Sequence, residues 1–189
     1  MKNVFLETTF KHKSLSSITL AGMTNNLNDG MIWGLLPILL LSYKMETADI
    51  GIIVAAYPIV WGISQLFTGK MSDIYSKKSM LIWGMLLQGL VIILLPFTGS
   101  FVGLMIISIL LGVGTALVYP TFFAAIADFT NPTQRAESIG SFRFWRDLGY
   151  AIGAILSGII ADIWSVEYAI IMVGVLTIFS SLVLKIRMK

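Results

Sequence analysis

The chain has 189 residues, 57% of them hydrophobic and only 12% charged, with a formal net charge of +3 and a mean hydropathy of +0.87. Soluble domains carry about 25% charged residues, so this composition excludes an ordinary soluble protein and indicates an integral membrane protein. The absence of cysteine excludes disulfides, thiolate metal sites and a cysteine nucleophile; the single histidine, His12, lies in the polar N-terminal stretch, which excludes a histidine metal site inside the membrane.

Met1–Ser17 mixes Lys2, Glu7, Lys11 and Lys13 with apolar residues. It has no uninterrupted apolar segment followed by a small-residue cleavage site, so it does not read as a signal peptide. Six apolar spans follow: Ile18–Tyr43, Ala48–Thr68, Ser79–Phe97, Phe101–Phe129, Thr133–Ile163 and Val166–Lys185. At about 1.5 Å per residue each can cross a hydrocarbon core of about 30 Å. Bilayer hydrocarbon offers the backbone no hydrogen-bond partners, so the spans must be helices. The predicted fold is an all-α bundle of six transmembrane helices, with connections too short for a soluble domain.

The first span carries Asn25-Asn26-Leu27-Asn28-Asp29-Gly30 and Pro37. Asp29 falls near the bilayer midplane, and Asn25, Asp29 and Trp33 recur every four residues, which predicts a shared face. Buried charge is costly in a membrane, so such residues line a pathway or bond to one another. Two readings stand: a polar stripe in which Asn25, Asn28, Asp29 and Trp33 serve a proton, a cation or a substrate amine, and hydrogen-bonded glue between helices. The second span repeats the four-residue spacing in Tyr57, Trp61 and Gln65, either a pathway wall or packing, and contains Pro58. Between the second and third spans lies the basic stretch Gly69–Lys78, read as a turn-rich loop.

The third span contains Gln88, and the fourth Tyr119 and Pro120. Prolines inside a span tend to kink it. Pro132 after Asn131 reads as a helix start with Asn131 as N-cap. The fifth span carries Arg143, Arg146 and Asp147, then Gly149, Gly153 and Gly158. Arg143 and Asp147 are four apart and can form a salt bridge that locks the helix; alternatively the trio forms an anion-binding or proton-relay site open to the cytoplasm. Gly149 and Gly153 form a GxxxG pair suited to close helix approach or gating. Trp164 and Tyr168 read as interfacial belt residues.

With six spans both termini share a side. Lys2, Lys11, Lys13, Lys70, Lys77, Lys78, Arg135, Lys185, Arg187 and Lys189 fall there, against Lys44 alone on the other. The positive-inside rule makes the shared side cytoplasmic, with Tyr43–Asp49 outside.

The stretch Gly69–Lys78 resembles the signature loop of the major facilitator superfamily, Gly-x-Leu-Ala-Asp-Arg-x-Gly-Arg-Lys. Gly69, Asp73 and Lys78 match, Met71, Ser72 and Lys77 are conservative variants, and Ile74 and Ser76 depart from it. Asn25–Pro37, Leu110–Asp128 and Phe142–Gly153 are similar to the seventh, tenth and eleventh spans of prokaryotic facilitators, and Met1–Ser17 to their central cytoplasmic linker. The resemblance implies a linker (1–17) followed by a six-helix domain (18–189), the C-terminal half of a facilitator built from two inverted three-helix repeats. It also implies secondary transport of a small solute, expected to be proton-coupled, in the plasma (inner) membrane, with the cavity completed by a second half or a second copy. Asn25, Asn28, Asp29, Trp33, Tyr57, Trp61, Gln65, Tyr119, Arg143, Arg146 and Asp147 would line the pathway. Gly69, Asp73, Lys77 and Lys78 would gate it. The expected partners are the bilayer and a small-molecule substrate, without nucleic acid or cofactor. A membrane enzyme is disfavoured: there is no intramembrane His, no metal-ligand cluster and no GxSxG. The rival reading is a non-transporting assembly subunit or inactive remnant.

Overall fold

The computed structural model describes residues 3–189; Met1 and Lys2, the latter counted above with the basic end, lie outside them. A helical turn α1 (Val4–Leu6) and a π-helical turn at Glu7–Lys11 precede six long helices. These are α2 (Lys13–Ser42), α3 (Thr47–Ile74), α4 (Lys77–Leu94), α5 (Phe101–Asp128), α6 (Arg135–Ile163) and α7 (Val166–Arg187). A 3₁₀ turn at Leu95–Phe97 extends α4. Five of the long helices are long and apolar enough to cross a membrane, by length and composition. The exception, α2, has the length, but its interior holds Asn25, Asn26, Asn28 and Asp29.

Local chemistry fixes where the helices begin. His12 Nδ1 accepts the Leu15 N–H at 3.2 Å, starting α2 five residues earlier than the apolar run predicts. Ser76, Ser100 and Ser165 cap α4, α5 and α7 in the same way. Two predicted boundaries need correction. Residues Gly69–Ile74 are not loop but the last turns of α3, so Tyr75 and Ser76 alone separate α3 from α4. Asn131 does not cap α6: its carbonyl closes a turn with the Gln134 N–H, and the helix starts at Arg135. At the other end, α2 stops with Lys44 in the left-handed region at φ 59°. The Lys44 and Met45 N–H groups return to the carbonyls of Leu41 and Leu40, closing the orphan end of the helix. The helices containing Pro37, Pro58 and Pro120 run on through them.

The main helix pairs are α2 with α6, α3 with α5, α4 with α7, α4 with α5 and α2 with α7. Exchanging α2 for α5, α3 for α6 and α4 for α7 converts this set of pairs into itself. That is the packing signature of two three-helix repeats of opposite direction. The consecutive helices α2 and α3, and α3 and α4, touch far less, whereas α4 and α5 pack closely.

Glycines permit the closest approaches. A Cβ at Gly149 would lie 2.2 Å from the Met23 carbonyl oxygen, one at Gly153 2.3 Å from that of Leu27, and one at Gly30 2.3 Å from that of Tyr150. The GxxxG pair is therefore the contact surface of α6 on α2. Gly158, grouped with the pair by sequence, faces open space.

The basic residues gather at one end of the bundle. Arg187 bonds Ser16 Oγ at 3.1 Å, the Lys189 N–H bonds Ser14 Oγ at 3.2 Å, and Lys78 Nζ bonds the Met188 carbonyl. Lys44 lies at the opposite end, where Tyr43 donates to the Pro96 carbonyl at 2.8 Å.

Candidate functional site

Helix α2 places Asp29 inside the bundle, 1% exposed. The Tyr57 hydroxyl, from α3, donates to Asp29 Oδ1, and stands 3.2 Å from Thr115 Oγ1 of α5. Tyr150 of α6 also turns its hydroxyl toward the carboxyl group. Asp29 Oδ2 has no hydrogen-bond partner among the described residues, and neither do Asn25 Oδ1 and Asn26 Nδ2 nearby. Among the described residues no cationic side chain pairs with Asp29.

The polar run on α2 divides into two directions. Asn25 and Asn26 bond each other at 3.2 Å. Asn28 turns away from Asp29, accepting from Thr177 Oγ1 at 2.6 Å and donating to Gln88 Oε1 at 3.2 Å, which ties α2 to α7 and α4. The predicted common face of Asn25, Asp29 and Trp33 is corrected here. Eight residues at about 100° each accumulate a rotation of about 80°, enough to carry Trp33 out of the buried stripe. Trp33 is 56% exposed, with its ring 6.4 Å from that of Tyr150.

From Tyr57 an aromatic series leads to α6. Tyr57 stacks on Trp61 at 6.1 Å, and Trp61 meets Tyr119 edge-on at 5.1 Å. The Arg146 guanidinium lies over the Tyr119 ring at 5.4 Å. Trp61 Nε1 is buried without a partner among the described residues. Gln65, one turn further along α3, is half-buried.

On α6 the ion pair differs from the predicted one. Asp147 does not reach across to Arg143. Its Oδ1 accepts from Arg146 Nε at 2.8 Å and lies 2.6 Å from Arg146 Nη2. The carboxylate bends back along the helix to a guanidinium held in place by the Tyr119, Phe123 and Phe142 rings. Arg143 is exposed and forms no salt bridge among the described residues.

The gating residues sit at the basic end. Lys77 pairs with Asp128, at the end of α5, at 2.7 Å, and Lys78 holds the Met188 carbonyl. Asp73 is exposed on the last turn of α3, and Gly69 accepts a bond from Ser72 Oγ at 2.7 Å. Four residues of this neighbourhood escape the sequence reading: Thr115, Tyr150, Phe123 and Phe142. Tyr150 lies three residues beyond Asp147 and so follows it on the helix; nothing local marks Thr115 or Phe123.

The family model described as Major Facilitator Superfamily matches residues 18–188. An uncharacterized MFS-type transporter of Methanocaldococcus jannaschii is 26% identical over 171 residues, covering 90% of this chain and 44% of the relative. The hexuronate transporter of Bacillus subtilis is 30% identical over 156 residues, covering 82% of this chain and 37% of the relative. The crystal structure of a bacterial homolog to the human lysosomal transporter Spinster, inward-facing and occupied, matches with a TM-score of 0.79 at 14% identity. That match covers 92% of this chain and 43% of the other, and it concerns the fold alone. The chain thus spans less than half the length of each of these three proteins.

Proposed function

The chain belongs to the Major Facilitator Superfamily, and from that membership we propose that it supplies one six-helix half of a secondary transporter for a small solute, driven by protons. A second half, or a second copy, provides the opposing wall of the cavity. The observation that carries the proton-coupled reading is Asp29: a carboxyl group buried inside the bundle, held by a tyrosine hydroxyl, with one oxygen unpartnered and no cation paired with it among the described residues. A group so enclosed has room for a proton and none for a solute. The solute's path runs on the more open side, past Trp33, Trp61, Gln65, Tyr119, Arg143 and Asp147. Asn28 holds α2 in register beside the acid through Thr177 and Gln88, while Asn25 pairs with Asn26 within α2. Gly69, Asp73, Lys77 and Lys78 form the hinge at the basic end, where Lys77 grips α5.

The experiment is solute flux in proteoliposomes containing the chain with and without a complementary half, under an imposed pH gradient. Proton-driven accumulation in the complete assembly supports the reading. No flux in either preparation would instead favour a non-transporting subunit.

In the cell we place the protein in the plasma membrane, with its basic end and both termini in the cytoplasm. The asymmetry of Lys and Arg residues supports this. Because the chain has no cysteine, Lys44→Cys and Lys77→Cys each give a single label site. An impermeant thiol reagent applied to right-side-out vesicles should label position 44 and spare position 77; the reverse pattern overturns the orientation.

A further inference from the structure

We infer that the solute is a small organic carboxylate, recognised by Arg146 with Arg143, and that Asp147 occupies its place until it arrives. This inference rests on the transport reading above and adds the substrate class.

A guanidinium offers parallel N–H groups that match the two oxygens of a carboxylate. Here Arg146 Nε and Nη2 both converge on one oxygen, Asp147 Oδ1, at 2.8 and 2.6 Å. The second carboxylate oxygen takes no part. The cause lies in the helix: adjacent residues point about 100° apart, so their side chains do not face each other. Asp147 must fold back along α6 and can present only one oxygen. A carboxylate that is not tethered at the next residue can present two.

Exposure sets the direction of entry. The Arg146 side chain is 8% exposed and Asp147 54%. Three aromatic rings hold the arginine, with the Tyr119, Phe123 and Phe142 centroids 5.4, 5.6 and 5.9 Å from its Cζ. The guanidinium is thus fixed, and its outward side is covered by a solvent-facing acid. A ligand coming from the open side meets Asp147 first and replaces it.

Charge selects the sign. Arg143 lies one turn earlier on the same helix, exposed and without a salt bridge among the described residues. Two guanidiniums against one carboxylate leave this part of α6 with one net positive charge. A cationic solute would be repelled there. The remaining acid of the neighbourhood, Asp29, is buried behind Tyr57 and closed to it. Trp33 and Tyr150, whose rings lie 6.4 Å apart, offer an aromatic surface for the body of the ligand.

The test uses the complete assembly, this chain with its complementary half, in nanodiscs, with thermal unfolding as the readout of binding; no shift with any of the three probes overturns the proposal. The probes are glucuronate, its uncharged counterpart glucose, and tetraphenylphosphonium as an organic cation. Glucuronate should raise the unfolding midpoint saturably, whereas glucose and tetraphenylphosphonium leave it in place. Asp147→Asn removes the competing acid, so the half-saturating glucuronate concentration should fall about tenfold. Arg146→Lys should raise it about tenfold, because an ammonium cannot form the fork. Asp147→Ala repeats the first arm should the Asn variant express poorly. A merely structural ion pair gives a different result: Asp147→Asn would lower the ligand-free midpoint and leave half-saturation unchanged. That outcome overturns the proposal, as does an equal response to glucose or a response to the cation alone. Flux in the complete assembly separates the two levels. Transport of a cation or a neutral solute discards the carboxylate and keeps the transporter, whereas absence of any flux discards the transporter itself.

Discussion

Asp29→Asn should abolish proton-driven accumulation in the complete transporter while leaving solute exchange at equal concentrations intact. The side chain stays the same size, and its carbonyl oxygen can still accept the Tyr57 hydroxyl that now bonds Oδ1. What disappears is the capacity to bind and release a proton. Stability should change by no more than about 1 kcal/mol, the net worth of one ordinary hydrogen bond. Tyr57→Phe is the opposite probe: it keeps the acid and deletes its donor. Leaving a buried acceptor unpaired costs about 1–3 kcal/mol, so this variant should unfold earlier yet still respond to a pH gradient. The measurements are uptake against pH and thermal unfolding in detergent. An Asp29→Asn variant with unchanged uptake and unchanged pH profile would reduce Asp29 to a packing group.

Gly153→Ala is expected to be among the most damaging small substitutions, and Gly158→Ala, five residues away on the same helix, among the most benign. At position 153 a Cβ meets the Leu27 carbonyl oxygen at 2.3 Å, and the Leu27 Cα and carbonyl carbon at 2.8 and 2.9 Å. These are backbone atoms and cannot swing aside, so α6 must move off α2. Overpacking of this kind costs about 1–3 kcal/mol, and Gly153→Val should exceed it. At position 158 nothing lies within 4 Å. There alanine gains helix propensity, a stabilisation of about 0.8–1 kcal/mol. The paired unfolding midpoints should therefore move in opposite directions. Equal shifts would show that α2 and α6 are not held this closely in the membrane.

Much of the architecture can be read from the residues because membrane helices announce themselves by length and apolarity. Five of the six spans follow from that alone, α2 being the exception, and the shared basic end follows from the placement of Lys and Arg. Boundaries are harder, since they depend on single caps: His12 extends α2 by a hydrogen bond to Leu15 that hydropathy does not register. The site is legible only in part. Asn25 and Asp29 stand out as costly residues, but spacing by four could not show that Asn28 turns to Thr177 and Gln88. Nor could it show that Trp33 leaves the stripe. The Arg146–Asp147 pair was hidden for a similar reason. Helical spacing favours partners four apart, and what overrides it is the clamp of Tyr119, Phe123 and Phe142, two of which come from α5. Contacts made by distant segments leave no local trace.

The pairing of α2 with α6 has a consequence for how the protein is made. Ribosomes deliver a chain at about 5–20 residues per second. Some 120 residues separate the end of α2 from the end of α6, so the first long helix emerges about 6–25 seconds before its principal partner is complete. During that interval the polar run of α2 lacks Gly149 against Met23, Gly153 against Leu27 and Tyr150 beside Asp29. The helix least suited to lipid is the one that waits longest for shelter. Shelter for the polar run of α2 therefore arrives late in biosynthesis, with the fifth long helix.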